Sequence, residues 1–233
     1  MATYLDRILS DHRSAAAVDT RSLDGLLDLA RSRPAVRGFG AALRSGAGTE
    51  PAIIAEVKRR SPSRGDLVAD LDPAETASQY VLGGATCISV LTEADHFGGS
   101  VEDLTRAREA VTVPVLRKDF TIDSRDVCDA RIMGADAVLL IASALDDAEL
   151  VDHHALALEL GLDALVEVHD EPELERALAV GARLVGVNQR DLATFEVDLD
   201  RAIRMAPLIP DAVTSVAESG VRGPQDAAAL FKA

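Results

Sequence analysis

Gly134-Ala135-Asp136-Ala137-Val138-Leu139-Leu140-Ile141 joins a glycine break to five apolar residues in a row. A strand with one wet face alternates apolar and polar residues. A continuous Val/Leu/Ile run is how a parallel strand buried on both faces reads. Glycine suits the end of the preceding helix, where the chain often passes through the left-handed region. The octapeptide therefore predicts a helix end, a left-handed stop and a buried strand. The joint recurs at Gly84-Ala85 and Gly181-Ala182, and Gly161 makes it with Leu162. Working outward, apolar runs fall at 53–57, 87–91, 113–116, 137–141, 164–168, 184–187 and 213–217. Amphipathic stretches of helical length lie between them at 72–82, 100–110, 123–133, 146–160 and 171–180. Strands alternating with helices at this pace mean repeated βα units and a parallel sheet. A doubly wound sheet would want GxGxxG after its first strand, and the chain has Lys58-Arg59-Arg60-Ser61-Pro62-Ser63-Arg64-Gly65 there. The expected fold is an α/β (β/α)8 TIM barrel. Residues 1–50 read as an N-terminal helical extension ending in a Gly-rich connector at 38–48, and 51–233 as the barrel, one domain overall. Seven strands are legible, so the eighth βα unit is expected to be lacking from this chain.

Composition narrows the function. The net charge of −15 argues against nucleic acid, whose phosphates are held by a positive surface. Aromatic residues make up 3% and Trp is absent, which leaves little for base stacking. No apolar run approaches the roughly 20 residues of a membrane span. The first residues, MATYLDRILSDHR, are amphipathic and charged, unlike a signal peptide. Cys87 and Cys128 show no CxxC spacing. These features predict a cytoplasmic protein with reduced thiols.

In such barrels the chemistry sits at the C-terminal ends of the strands. Strand 1 gives Glu56, Lys58 and Ser61, and strand 2 leads to Glu93 and His96-Phe97-Gly98-Gly99. Strand 3 gives Arg117-Lys118-Asp119, and strand 4 ends apolar before Ser143. Strand 5 gives Glu167 and His169, strand 6 Asn188 and Arg190, strand 7 Glu218-Ser219-Gly220. Any one Lys or Glu is most often a solvated rim charge. Two lysines and three glutamates converging on one mouth are harder to dismiss, because they would shift one another's pKa values as acid–base work requires. Lys58, Arg59, Arg60 and Arg64 put four cations in seven residues of an acidic chain. A local positive focus of that kind suits an anionic substrate, with Ser61 donating to a phosphate, Lys58 holding a carboxylate, and the three arginines as rim charges. The histidines offer no clear third ligand, so no metal is expected. His153 and His154 diverge as helix neighbours, and His12 reads as packing or surface. Cys87 reads as core and Cys128 as core or surface. Ser219 has no GxSxG around it to support a nucleophile.

The same residues, in order, resemble indole-3-glycerol phosphate synthases. The matching motifs are Ile54-Ala55-Glu56-Val57-Lys58 with Ser61-Pro62-Ser63, Phe97-Gly98-Gly99-Ser100, and Leu116-Arg117-Lys118-Asp119-Phe120. They continue with residues 134–141, Leu165-Val166-Glu167-Val168, Gly186-Val187-Asn188-Gln189-Arg190-Asp191-Leu192 and Val216-Ala217-Glu218-Ser219-Gly220. Phe39-Gly40-Ala41-Ala42-Leu43 also fits. The resemblance implies closure of 1-(2-carboxyphenylamino)-1-deoxyribulose 5-phosphate to indole-3-glycerol phosphate, with release of CO2 and water, in tryptophan biosynthesis. It implies Lys118 as general acid, best served by a pKa lowered toward neutrality. It implies Lys58 on the substrate carboxylate, Glu167 as base, and Glu56 and Glu218 as orienting carboxylates. Asn188 and Arg190 would make polar contacts, Phe97 would pack on the aryl ring, and Ser61, Ser219 and Gly220 would grip the phosphate. No cofactor is implied, since the carboxylate leaves by rearomatisation. The partner is a phosphorylated small molecule, with self-association or another tryptophan-pathway enzyme as protein partners. Arg125-Asp126 departs from the family's frequent aromatic–Gln pair and is expected to be tolerated. The rivals are a phosphoribosylanthranilate-type isomerase, which would not need Lys58 and Lys118 together, and a non-catalytic phosphate-ligand binder.

Overall fold

The computed structural model describes residues 3–48, 50–62, 65–68, 70–191 and 194–233. Seven strands form one parallel sheet in chain order: β1 (Ile54–Val57), β2 (Cys87–Leu91), β3 (Val115–Lys118), β4 (Ala137–Ile141), β5 (Asp163–Val168), β6 (Leu184–Asn188) and β7 (Thr214–Glu218). Each pairs in parallel with the next, so the order is sequential, as a barrel requires. A short antiparallel ribbon, Arg60–Ser61 with Gly65–Asp66, follows β1. The helices are α1 (Tyr4–Val18), α2 (Leu23–Arg31), α3 (Phe39–Gly46), α4 (Pro73–Leu82), α5 (Val101–Ala110), α6 (Ser124–Met133), α7 (Asp147–Glu159), α8 (Glu171–Ala179), α9 (Arg201–Met205) and α10 (Pro224–Lys232). Among the described residues none is long and apolar enough to cross a membrane.

The continuous apolar strands are explained by two cores. Ile88, Val90, Val115, Val138, Leu140, Val166, Val168, Val185 and Val187 pack outward against the helices. Cys87, Leu116, Leu139, Ile141, Leu165 and Leu184 fill the inside of the curved sheet. Strand side chains alternate faces, so Lys118 follows Leu116 inward and Glu167 follows Leu165. The glycine joints behave as their sequence predicts. Gly84, Gly134, Gly161 and Gly181 all have φ between +80° and +96°, where a side chain is strained.

Two expectations are corrected. The third strand lies two residues beyond the apolar run at 113–116. Pro114 has no N–H to give and contributes only its carbonyl, which accepts from Ile88 N. The strand gains Arg117 and Lys118 instead, so Lys118 stands in the ladder rather than after it. Likewise the Gly-rich connector at 38–48 is mostly helix. Gly38 enters α3 at φ +71°, Phe39 and Leu43 are buried in the inner core, and Asp163 Oδ2 accepts the Gly40 N–H at 2.9 Å. The helix sits against Cys87, Ala137 and Leu184, the first residues of their strands, and so closes the end opposite the mouth.

Helix α1 lies at the mouth. Ile8 is buried with Phe120, Ile141 and Ala144, and Tyr4 Oη bonds His96 Nδ1 at 2.7 Å. Arg13 holds Glu149 with two bonds of 2.7 and 3.0 Å. Arg125, the departure in α6, donates to the Ala16 carbonyl at 2.9 Å and to that of Asp19, binding the open C-terminal end of α1.

Candidate active site

Five of the singled-out charges meet inside the mouth. Lys118 Nζ lies 3.2 Å from Glu167 Oε2. Glu167 is 1% exposed, so this is a carboxylate held in the dark side of the barrel by one ammonium. Its other oxygen accepts from Asn188 Nδ2 at 2.9 Å. Lys58 pairs with Glu56, two residues back on the same inward face. Glu218 enters from β7, and Gly186 makes room for it. A Cβ on Gly186 would stand 1.9 Å from Glu218 Oε1. That oxygen has no hydrogen-bond partner among the described residues.

The electrostatics follow from three carboxylates around two ammoniums. Burial alone would lower the Lys118 pKa, but the carboxylates of Glu167, Glu218 and Glu56 outweigh it and hold the ammonium above the ordinary lysine value. The shift runs opposite to the lowering that would best serve a general acid. Glu167 is pulled the other way. Burial opposes its charge, yet Lys118, then His169 and the Asn188 amide, keep its carboxyl below the usual range. Glu218 is the loser: burial first, then the Glu167 charge, push its carboxyl well above the usual value. The site thus holds an ammonium that keeps its proton, an ionised carboxylate and a carboxyl inclined to stay neutral.

A family model described as indole-3-glycerol phosphate synthase matches residues 5–233. The chain belongs to the indole-3-glycerol phosphate synthase family. A Nocardioides protein named indole-3-glycerol phosphate synthase is 58% identical over 180 residues, which are 77% of this chain and 69% of that protein. Two solved structures share the fold at low identity. The N-acetylmannosamine-6-phosphate 2-epimerase of Clostridium perfringens superposes with a TM-score of 0.55 at 14% identity, over 67% of this chain and 73% of its own. The thiamine phosphate pyrophosphorylase of Pyrococcus furiosus gives 0.52 at 17%, over 68% and 74%.

The remaining residues of this family member divide by what they touch. Phe97 faces Phe120 with ring centroids 6.4 Å apart, at the edge of the inner core. Arg190 takes the Asn188 side-chain oxygen on its backbone N–H, while its guanidinium donates to the Phe195 carbonyl. Ser61 is buried in the short ribbon. Ser219 and Gly220 follow Glu218 with φ of +65° and +76°, and Gln189 Nε2 donates to the Ser219 carbonyl at 2.8 Å. A Cβ at Gly220 would crowd Val197 and Leu199 at 2.6 and 2.7 Å, so glycine is required there.

The basic turn is not the free positive rim expected of it. Arg59 grips Asp103 with two bonds and donates to the Leu71 carbonyl. Arg60 donates to the carbonyls of Asp95 and His96. Both fasten loops; Ser63, Arg64 and Leu192 lie outside the described residues. Glu93 is also structural, accepting the N–H groups of His96 and Phe97. Arg117 and Asp119 form a buried network with Thr92. Sequence reasoning missed Glu173. It weighed His169 as a metal ligand and as a triad partner of Ser219, whereas its ring stands between Glu173 and Glu167. The four-residue spacing from His169 past the cap Asp170 to a Glu in the first helical turn was the available signal.

Proposed function

We propose that the chain is a carbon–carbon carboxy-lyase that closes 1-(2-carboxyphenylamino)-1-deoxyribulose 5-phosphate to indole-3-glycerol phosphate. The observation that carries this reading is the Lys118–Glu167 pair, a proton donor and an ionised base 3.2 Å apart in the mouth. In the first step the ring carbon bearing the carboxylate attacks the ketone carbon, and the oxygen becomes an alkoxide. Lys118 protonates it. An alkoxide is a stronger base than an amine, so the transfer is downhill even from a lysine whose pKa is raised. Lys58 holds the carboxylate in line until it leaves as CO2 and the ring regains aromaticity. Lys58 then assists departure of the hydroxyl as water, and Glu167 removes the proton that completes the indole. Glu56 holds Lys58, and Glu218, inclined to be neutral, is suited to donate to a substrate hydroxyl.

Phe97 packs on the aryl ring, Asn188 and Arg190 contact polar groups of the sugar chain, and Ser61, Ser219 and Gly220 take the phosphate. No step calls for a cofactor. The test is to incubate the chain with the substrate and follow indole absorbance and fluorescence. Lys118→Ala should cut kcat by a factor on the order of 10² to 10⁴, the usual range for a general acid, while binding of the reduced, unreactive substrate persists. Ligand binding by the unmutated chain without product would favour the non-catalytic binder. Isomerisation of a phosphosugar in place of ring closure would favour the isomerase.

A further inference from the structure

Three carboxyl groups and two lysines meet in the mouth. Lys58 is engaged by Glu56, and Lys118 faces Glu167 and Glu218 together. An imidazole stands on the far side of Glu167. His169 Nε2 is buried, has no hydrogen-bond partner among the described residues, and points at Glu167 Oε1 from 3.5 Å. Its other nitrogen lies 3.0 Å from Glu173 Oε2, and the same oxygen accepts the His169 backbone N–H at 2.8 Å. Glu173 is fixed in turn. It stands in the first turn of α8, where aligned peptide dipoles favour a carboxylate, and its N–H donates to the cap Asp170 at 2.9 Å. Arg201 of α9 also faces the imidazole, with its guanidinium bonded to the Asn188 carbonyl at 2.8 Å. A chain of carboxylate, imidazole and carboxylate thus runs from α8 into the barrel.

Taking Glu167 as the base, as proposed above, we propose that His169, braced by Glu173, is a positioning residue that keeps Glu167 ionised and turns its second oxygen to Lys118. The physical need is plain. Burial works against the Glu167 charge, and His169 adds to Lys118 in opposing that effect. Asn188 bonds one oxygen and the His169 ring stands 3.5 Å from it, so the other is the one left to face the ammonium. The brace also favours the imidazolium: burial opposes its charge, but the Glu173 hydrogen bond and the Glu167 carboxylate outweigh it and raise the His169 pKa.

The experiment compares the unmutated chain with His169→Asn and Glu173→Gln. Glu173→Gln keeps the shape and an acceptor while removing the charge, so it remains informative if His169→Asn fails to fold. Both should lower kcat about tenfold or more while KM stays within about twofold. The acid limb of the kcat profile should move to higher pH, because Glu167 loses a neighbouring cation and ionises later. In parallel, the His169 imidazole is titrated by NMR in the unmutated chain, Glu173→Gln and Glu167→Gln. Its midpoint should fall in both variants. Folded variants with unchanged kcat and an unmoved acid limb would overturn the assignment. So would an imidazole midpoint indifferent to both carboxylates. If the unmutated chain makes no product, the proposed reaction fails on its own, and the imidazole titration still decides whether His169 is coupled to Glu167.

Discussion

Glu218 shows what the site costs the fold. One of its oxygens is buried over Gly186 without a partner, beside the Glu167 charge. A carboxyl raised above its unfolded value contributes stability below the ordinary value of 4.5 and loses it as pH rises through the folded pKa. Glu218→Gln removes that penalty. Its gain in stability should therefore be larger at pH 8 than at pH 5, as read from urea unfolding. Turnover should fall at the same time, as expected where a site is built at the expense of stability. Equal gains at both pH values would mean that Glu218 ionises normally. At this scale the sequence was legible where charge broke an apolar run: Glu56, Lys118, Glu167 and Glu218 could be found that way. Gly186 could have been found too, since a glycine inside a strand marks a close approach. The direction of the Lys118 shift could not. It depends on how many carboxylates surround the ammonium, and strand curvature, not residue order, sets that number.

At the scale of elements, the departure at Arg125 acquires a purpose. Its guanidinium spans from α6 to the last carbonyls of α1 and is itself aligned by Asp123. One end of α1 is thus tied by Arg125 and the other by Tyr4 on His96. Arg125→Ala should free the C-terminal turn of α1. We expect faster limited proteolysis near residues 16–21 and a global loss of about 1 kcal/mol, the net worth of a lost hydrogen-bonded contact. An unchanged cleavage rate would show that Ile8 and Tyr4 suffice to seat the helix. Helices opened by a side-chain cap were legible to within a residue: Asp72, Ser100, Asp123 and Asp146 each cap the helix expected after them. Helix α3 was not, because three glycines in 38–46 outweigh its helical pattern until Phe39 and Leu43 find the barrel floor. Tertiary burial overrides propensity there.

Across the whole molecule, the parallel βα order could be read from the sequence because period and punctuation agree in every unit. The electrostatic reading held less well. The basic turn suggested a positive beacon, but Arg59 and Arg60 spend their donors on Asp103 and loop carbonyls. The described mouth pairs Lys58 with Glu56 and Lys118 with Glu167, which leaves it close to neutral beside a Glu218 carboxyl inclined to hold its proton. An approaching substrate with a carboxylate and a phosphate therefore meets chiefly the field of a chain carrying −15. That field repels it, and salt screens it over a Debye length of about 10 Å at 0.1 M. Raising KCl from about 10 to about 100 mM should increase kcat/KM roughly twofold while kcat stays level, since the gain lies in encounter rather than chemistry. A fall in kcat/KM over the same range would mean that local cations at the mouth outweigh the acidic surface. The substrate would then be drawn in by the site against the charge of the whole.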